Sequence, residues 1–217
     1  MGHRVLALLI VLAGVAHADG RVVGKVAITD SDGRPVVADA IVYVVGPRQD
    51  ADPDDVPKIT QKNRRFVPDL VAVTVGGRVA FPNADSFLHN VFSQTPERKF
   101  DLGSFKKGES KTKDFTTLGV IDVYCNIHPE MAATILVLPN RLHTHVKADG
   151  SFAIEGVPAG TWTVFAYTRR AAKPVSVQVT VANGADASVS FALVRGAEPE
   201  HLNKYGEKYH DAGGTYR

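Results

Sequence analysis

Residues 119–138 read GVIDVYCNIHPEMAATILVL, two apolar runs joined by a short polar segment. Asp122–Tyr124 and Thr134–Leu138 read as strands. Between them Cys125, His128 and Met131 stand at i, i+3 and i+6, so one loop delivers a thiolate, an imidazole and a thioether to one place. A second imidazole, His89, lies 36 positions upstream (125 − 89) in the stretch FLHNV. One thiolate, two imidazoles and one thioether form the ligand set of a trigonal copper site with a weak axial sulfur. Soft sulfur favours Cu(I) and imidazole suits both oxidation states, so the mixed set holds both. Cys125 ends a strand, where its thiolate is held rigidly, and metal binding deprotonates it. Pro129 has no backbone N–H and stiffens the loop beside His128.

Working outward, nearly every segment alternates with period two and is punctuated by Gly, Pro, Asn or Asp. Val22–Thr29, Ala40–Val45, Val71–Phe81, Thr161–Tyr167, Val175–Val181 and Ala187–Val194 read as further strands. Asp32-Gly33, Gly76-Gly77, Asp149-Gly150 and Asn183-Gly184 are turn signals. No long stretch carries helical periodicity. The chain is expected to be all-β, built of sandwiches.

The middle of the chain resembles the cupredoxins, small blue-copper β-sandwich proteins. The resemblance runs through Phe66-Val67-Pro68, then Val73-x-Val75-Gly76-Gly77-x-Val79-x-Phe81-x-Asn83, His89-Asn90-Val91, Lys107-Gly108-Glu109-Ser110 and Gly119 to Val137. The tight spacing from cysteine to methionine is most similar to that of amicyanin. The resemblance implies a Greek-key sandwich over residues 57–139 and one type 1 copper, Cu(I)/Cu(II), bound by His89, Cys125, His128 and axial Met131. It also implies that Asn90 braces the cysteine loop, and that electrons pass at the edge of His128.

The flanks carry another pattern. Residues 21–46 hold Gly24-x-Val26, Asp32-Gly33-Arg34-Pro35-Val36 and Ala40-x-Val42; residues 141–195 hold Asp149-Gly150-Ser151-Phe152 and Gly156 to Val164. The first flank supplies about two strands, too few for stability alone. Together the flanks resemble the transthyretin-like β-sandwich appended to carboxypeptidases, with Trp162 where that family commonly has Tyr. This implies a discontinuous sandwich of residues 19–48 and 140–196, with the copper domain inserted. Asp/Pro-rich residues 47–57 read as a solvated loop. For the polar tail, 197–217, packing through its tyrosines and disorder both stay open.

The N-terminus reads as an export signal, residues 1–18: His3-Arg4, an apolar run from Val5 to Val15, and the small-x-small site Ala16-His17-Ala18. Without it the chain starts at Asp19, has no membrane span, and is expected in the periplasm or otherwise outside the cytoplasm. Of 25 Lys and Arg only Arg4 is lost, leaving 24 against 23 acidic residues. That balance gives no reason to expect nucleic acid or anionic lipid as a partner.

A lone cysteine in an exported chain is a buried thiol, an intermolecular bridge or a metal ligand. The histidine at i+3 and methionine at i+6 point to ligation. Zinc accepts Cys and His but rarely recruits methionine, and a dinuclear copper centre needs a second cysteine. His143 and His145, alternating on a strand, read as ordinary strand histidines or an auxiliary metal site; His201 and His210 as tail residues. Lys106, Lys107, Lys111 and Lys113 read as a solvated hairpin or as a docking patch for an acidic redox partner. Phe87, Leu88, Pro129 and Met131 read as an apolar collar, made more polar by Asp85 and Ser86. Without a catalytic acid–base pair or an open substrate position, the expectation is an electron shuttle between redox proteins and not an enzyme. The alternative is a copper-binding or sensing module for cell-surface attachment or adhesion.

Overall fold

The computed structural model describes residues 19–209, so the expected export signal and His210 lie outside the described residues. Its strands are β1 (Gly20–Asp30), β2 (Ala40–Val45), β3 (Thr60–Lys62), β4 (Arg65–Val67), β5 (Leu70–Thr74) and β6 (Arg78–Pro82). They continue with β7 (His89–Ser93), β8 (Phe100–Phe105), β9 (Ser110–Asp114), β10 (Gly119–Tyr124) and β11 (Ala132–Leu138). The last five are β12 (His143–His145), β13 (Ser151–Val157), β14 (Gly160–Thr168), β15 (Val175–Val181) and β16 (Asp186–Arg195). The fold is all-β and sandwiched. No helix among the described residues is long and apolar enough to cross a membrane.

The middle strands form a five-stranded sheet, β5-β11-β10-β7-β8, with the β6–β9 and β3–β4 pairs as separate small sheets. Alternation decides which side chains meet. On β10 Ile121 and Val123 are buried, while Val120, Asp122 and Tyr124 are partly exposed. Ile121 and Val123 join Val71, Val73, Val79, Phe81, Ile135 and Val137 in one apolar cluster that also holds Cys125 and Met131. The run Val71–Phe81, expected as one strand, is two strands in different sheets. Gly76, at φ 89°, and Gly77 turn the chain between them.

β1 and β2 take their hydrogen-bonded neighbours from the C-terminal third of the chain. β1 runs antiparallel to β13, with Val22 opposite Ile154, and parallel to β16 from Arg21 opposite Asp186 to Asp30 opposite Arg195. β2 runs antiparallel to β14 and β12, with Val44 opposite Val164 and Tyr43 opposite His143. β1 approaches β16 so closely that a Cβ on Gly24 would sit 1.7 Å from the Val189 carbonyl oxygen, which leaves glycine as the only fit. Val22, Val42, Phe152, Ile154, Val164 and Phe191 form the core of these sheets.

A third apolar cluster joins the two sets of sheets. Strands β2, β5 and β11 are buried along almost their whole length, so each has two apolar faces. One face of β5 and β11 points to the cysteine-bearing core. Leu70, Ala72, Leu136 and Leu138 on the other meet Ile41, Tyr43 and Tyr167. Burying each large side chain here contributes about 1.5–3 kcal/mol relative to exposure. The two chain crossings also meet, where the Gln49 N–H donates to the Pro139 carbonyl at 3.1 Å and the Arg141 N–H to Gln49 Oε1 at 2.8 Å.

Candidate metal centre

β10 delivers Cys125 to the end of the sheet, fully buried. The next residues form a tight loop: the Met131 N–H donates to the His128 carbonyl at 3.1 Å and the Cys125 N–H to the Met131 carbonyl at 3.2 Å. This returns the chain to β11 at once and places His128, half-buried, beside the cysteine. Met131 is fully buried in the cluster that contains Cys125. His89, also 0% exposed, opens β7 on the other side of the cysteine.

The three side chains converge. Cys125 Sγ lies 4.0 Å from His89 Nδ1 and 3.8 Å from His128 Nδ1, and the two nitrogens are 3.1 Å apart. Among the described residues, His89, Cys125 and His128 are the group of His, Cys, Asp or Glu whose donor atoms gather within 4.8 Å of one another. Two imidazole Nδ1 atoms facing one buried cysteine sulfur fit one type 1 copper, a borderline-soft ion bound by nitrogen and sulfur.

Asp85 fixes which nitrogen His89 offers. Its Oδ2 lies 2.8 Å from His89 Nε2. With Nε2–H donating there, Nδ1 is left as the lone-pair donor facing Cys125. Asp85 is itself held: the N–H groups of Asn63 and Arg64 donate to it at 2.7 and 3.1 Å, and its own N–H donates to Asn83 Oδ1 at 2.9 Å. Asn63 and Arg64, both at φ 54°, form the left-handed turn of the β3–β4 hairpin, which aims two successive N–H groups at one carboxylate. Burial alone would raise the Asp85 carboxyl, but these N–H groups and His89 hold it below the usual carboxylate range. In the sequence alone Asp85 reads only as polarity in the collar.

Asn90 sits behind the cysteine loop. Its Oδ1 accepts from the Asn126 N–H at 3.3 Å, and its Nδ2 donates to Asp101 Oδ1 at 2.7 Å and to the Gly103 carbonyl at 2.9 Å. Burial pushes the Cys125 thiol up, although the N–H groups of Asn90, Ile127 and His128 favour the thiolate. Burial also lowers His128, with His89 adding to the effect, so a neutral imidazole faces the sulfur.

On the outer side Phe87 packs edge-on against His89 at 5.1 Å and tilted against His128 at 5.6 Å, with the Arg64 guanidinium 5.4 Å from its ring centre. Phe87 and Leu88 stay 39% and 48% exposed, and Pro129 is exposed beside His128. The basic cluster is divided. Lys106 and Lys107 are solvent-facing, whereas Lys111 donates to the Leu102 and Ser104 carbonyls and Lys113 to that of Asp114. His143 and His145 sit on β12 opposite Tyr43 and Ile41, away from this group. His201 stacks on Tyr124, with ring centres 4.0 Å apart.

No protein-family model matches the chain, and no curated protein matches it. Among solved structures the chain is similar to a copper-containing nitrite reductase from Thermus scotoductus SA-01, at 28% identity and a TM-score of 0.35. That match covers 38% of this chain and 22% of the reductase, so the chain spans about a fifth of its length. It is also similar to amicyanin from Paracoccus versutus, at 20% identity over 44% of this chain and 96% of that one, TM-score 0.37. A purple cupredoxin from Nitrosopumilus maritimus shares 22% identity over 37% of this chain and 98% of its own, TM-score 0.35. These structural neighbours are cupredoxins or contain copper, and each covers less than half of this chain.

Proposed function

We propose that this chain is an exported type 1 copper protein that carries single electrons between redox proteins. The observation that carries the reading is the convergence of His89 Nδ1, His128 Nδ1 and Cys125 Sγ within 4.8 Å, the first histidine and the cysteine buried and His128 partly exposed. In this reading those three residues hold the metal and Met131 caps it as a weak axial ligand. A bound copper supplies the Cu(I)/Cu(II) couple, which accepts and gives up one electron. The residues of the chain supply rigidity. Asp85 fixes the His89 tautomer, the Met131–His128 and Cys125–Met131 backbone bonds fix the loop, and burial excludes water. A cage that does not rearrange keeps the reorganisation on electron transfer small.

His128 is the half-exposed ligand beside Phe87, so its edge is the electron portal in this proposal. The Arg64 guanidinium over Phe87 brings positive charge to that rim and Glu130 beside Pro129 brings negative charge. The solvent-facing Lys106 and Lys107 are the proposed docking patch for an acidic redox partner. Residues 19–48 and 140–196 form one discontinuous sandwich around a copper domain of residues 57–139, a division supported by the strand pairings and by the meeting of Gln49 and Pro139. The proposed export rests on the reading of residues 1–18, and the carrier role sets the chain apart from an enzyme.

Adding one equivalent of Cu(II) to the purified chain tests this. The expected result is intense visible absorption from thiolate-to-copper charge transfer, followed by reversible bleaching with a one-electron donor. Copper that binds without redox cycling would favour a sensing or attachment module instead.

A further inference from the structure

Residues 196–209 do not leave the molecule. They cross from the flanking sheets to the cysteine loop and are fastened at both ends. Glu198 is held by a two-point ion pair from the buried Arg169, with Arg170 Nε 3.6 Å away. At the far end Tyr209 Oη donates to the carbonyl oxygen of Cys125 itself, at 2.8 Å. Between them His201 lies flat on Tyr124, the residue before the cysteine, at 4.0 Å and 15°, and Tyr209 packs edge-on against His201 at 5.3 Å. The segment has internal order, since Asn203 Oδ1 accepts from the N–H groups of Tyr205 and Glu207 and the Asn203 N–H donates to the Glu207 carbonyl.

One contact reaches the hydrogen bonds behind the loop. The Lys204 N–H donates to Asn126 Oδ1 at 3.0 Å, and Lys204 Nζ donates to Asp101 Oδ2 at 2.8 Å. Asn126 in turn donates to Asn90, and Asn90 to Asp101. Asn126, Asn90, Asp101 and Lys204 therefore form a closed ring, and Lys204 is the member that comes from the tail.

We infer that residues 198–209 are a strap that positions the Cys125 loop, with Lys204 closing the ring behind Asn126 and Tyr209 holding the Cys125 carbonyl. The inference deepens the copper reading and rests on it for its metal-bound readouts. A ring of hydrogen bonds fixes Asn126, and through it the path from Cys125 to His128, against twisting that the β10–β11 ladder alone does not resist. Tyr209 also holds the backbone of the sulfur ligand through its bond to the Cys125 carbonyl. Its O–H dipole points its positive end at the ligand peptide, which favours the more electron-rich, reduced site. These are positioning residues, acting on the metal through Cys125 and Asn126.

The test uses the full-length chain with Tyr209→Phe, Lys204→Met, His201→Ala and His201→Phe. Amide hydrogen exchange at Asn126 is read in the metal-free protein; Cu(I) release to a chelator and the reduction potential are read in the loaded one. Losing one hydrogen bond of ordinary strength corresponds to about three- to tenfold in an equilibrium or rate. Tyr209→Phe and Lys204→Met are expected to speed both exchange and Cu(I) release by that factor, and Tyr209→Phe to lower the potential. His201→Phe should stay closer to the parent than His201→Ala, because a phenyl ring keeps the packing on Tyr124 and Tyr209. His201→Ala should loosen the loop. Unchanged exchange at Asn126 and unchanged release in both Tyr209→Phe and Lys204→Met would overturn the strap. Failure of the parent chain to bind copper would overturn the function proposed above, while the exchange measurement would still decide the strap.

Discussion

The cysteine end of the middle sheet and the seam against the flanking sheets share β11 but are built on opposite terms. At the seam Leu70, Ala72, Leu136, Leu138, Ile41, Tyr43 and Tyr167 bury apolar surface, with Tyr43 stacked on Phe165 at 5.2 Å. At the cysteine end His89, Asp85, Asn90 and Cys125 are buried polar groups, and each has named partners. A buried polar group costs about 1–3 kcal/mol when left unpaired and returns little net stability when paired. The seam therefore holds the two sets of sheets together, and the polar end holds a few atoms in place. Substitutions in the two regions should separate stability from metal chemistry.

The largest separation should come from Cys125→Ser. Its copper charge-transfer absorption should vanish while the apolar clusters stay intact, because a hydroxyl neither ionises as readily nor donates as softly as a thiol. Leu136→Ala, in the seam, should do the reverse. Truncating a fully buried leucine costs about 2–5 kcal/mol, read as a lower denaturant midpoint with the colour of the loaded protein unchanged. Asp85→Asn should keep the fold but weaken copper binding by about 10- to 100-fold, the usual effect of losing a carboxylate that orients a histidine ligand; a competition titration reads it. Met131→Leu should raise the reduction potential, by removing a donor that favours Cu(II), and Met131→Gln should lower it, with copper bound in both. Equal potentials in the three proteins would remove Met131 from the axial position.

The smallest effect is on acid stability. Burial raises the Asp101 carboxyl, but hydrogen bonds from Lys204, Asn90 and the Gly103 N–H outweigh it and hold it below its ordinary 3.8. A carboxyl lower in the folded than in the unfolded state stabilises fully above the ordinary value. That contribution is lost as pH falls from 3.8 through the folded value. Asp101→Asn should flatten this part of the acid-unfolding curve, modestly, because the ion pair with Lys204 is partly exposed.

What the sequence disclosed follows the distance over which each signal acts. Cys125, His128 and Met131 were legible because one loop carries all three, and the alternating runs disclosed the all-β class. Strands such as His89–Ser93 and Phe100–Phe105 were missed, the second because its exposed and half-buried residues alternate only weakly. The seam left a signal in the continuous apolar runs AIVYVV and AATILVL, too apolar for strands with one wet face. Asp85 stands four residues before His89, but its role depends on a hairpin turn some 20 residues earlier in the chain, at Asn63 and Arg64. The strap was least legible. Its tyrosines suggested packing, but nothing local to Lys204 or Tyr209 specifies Asn126 or Cys125 as the partner.

The most direct test of the central claim is the visible and electron paramagnetic resonance spectrum of the full chain with one equivalent of Cu(II), recorded beside His89→Ala. The parent should show intense absorption and the small copper hyperfine splitting of a highly covalent thiolate site, and opening one equatorial position in His89→Ala should weaken or distort both. Weak absorption with large hyperfine splitting in the parent, or identical spectra from the two proteins, would contradict a copper centre built on His89, Cys125 and His128.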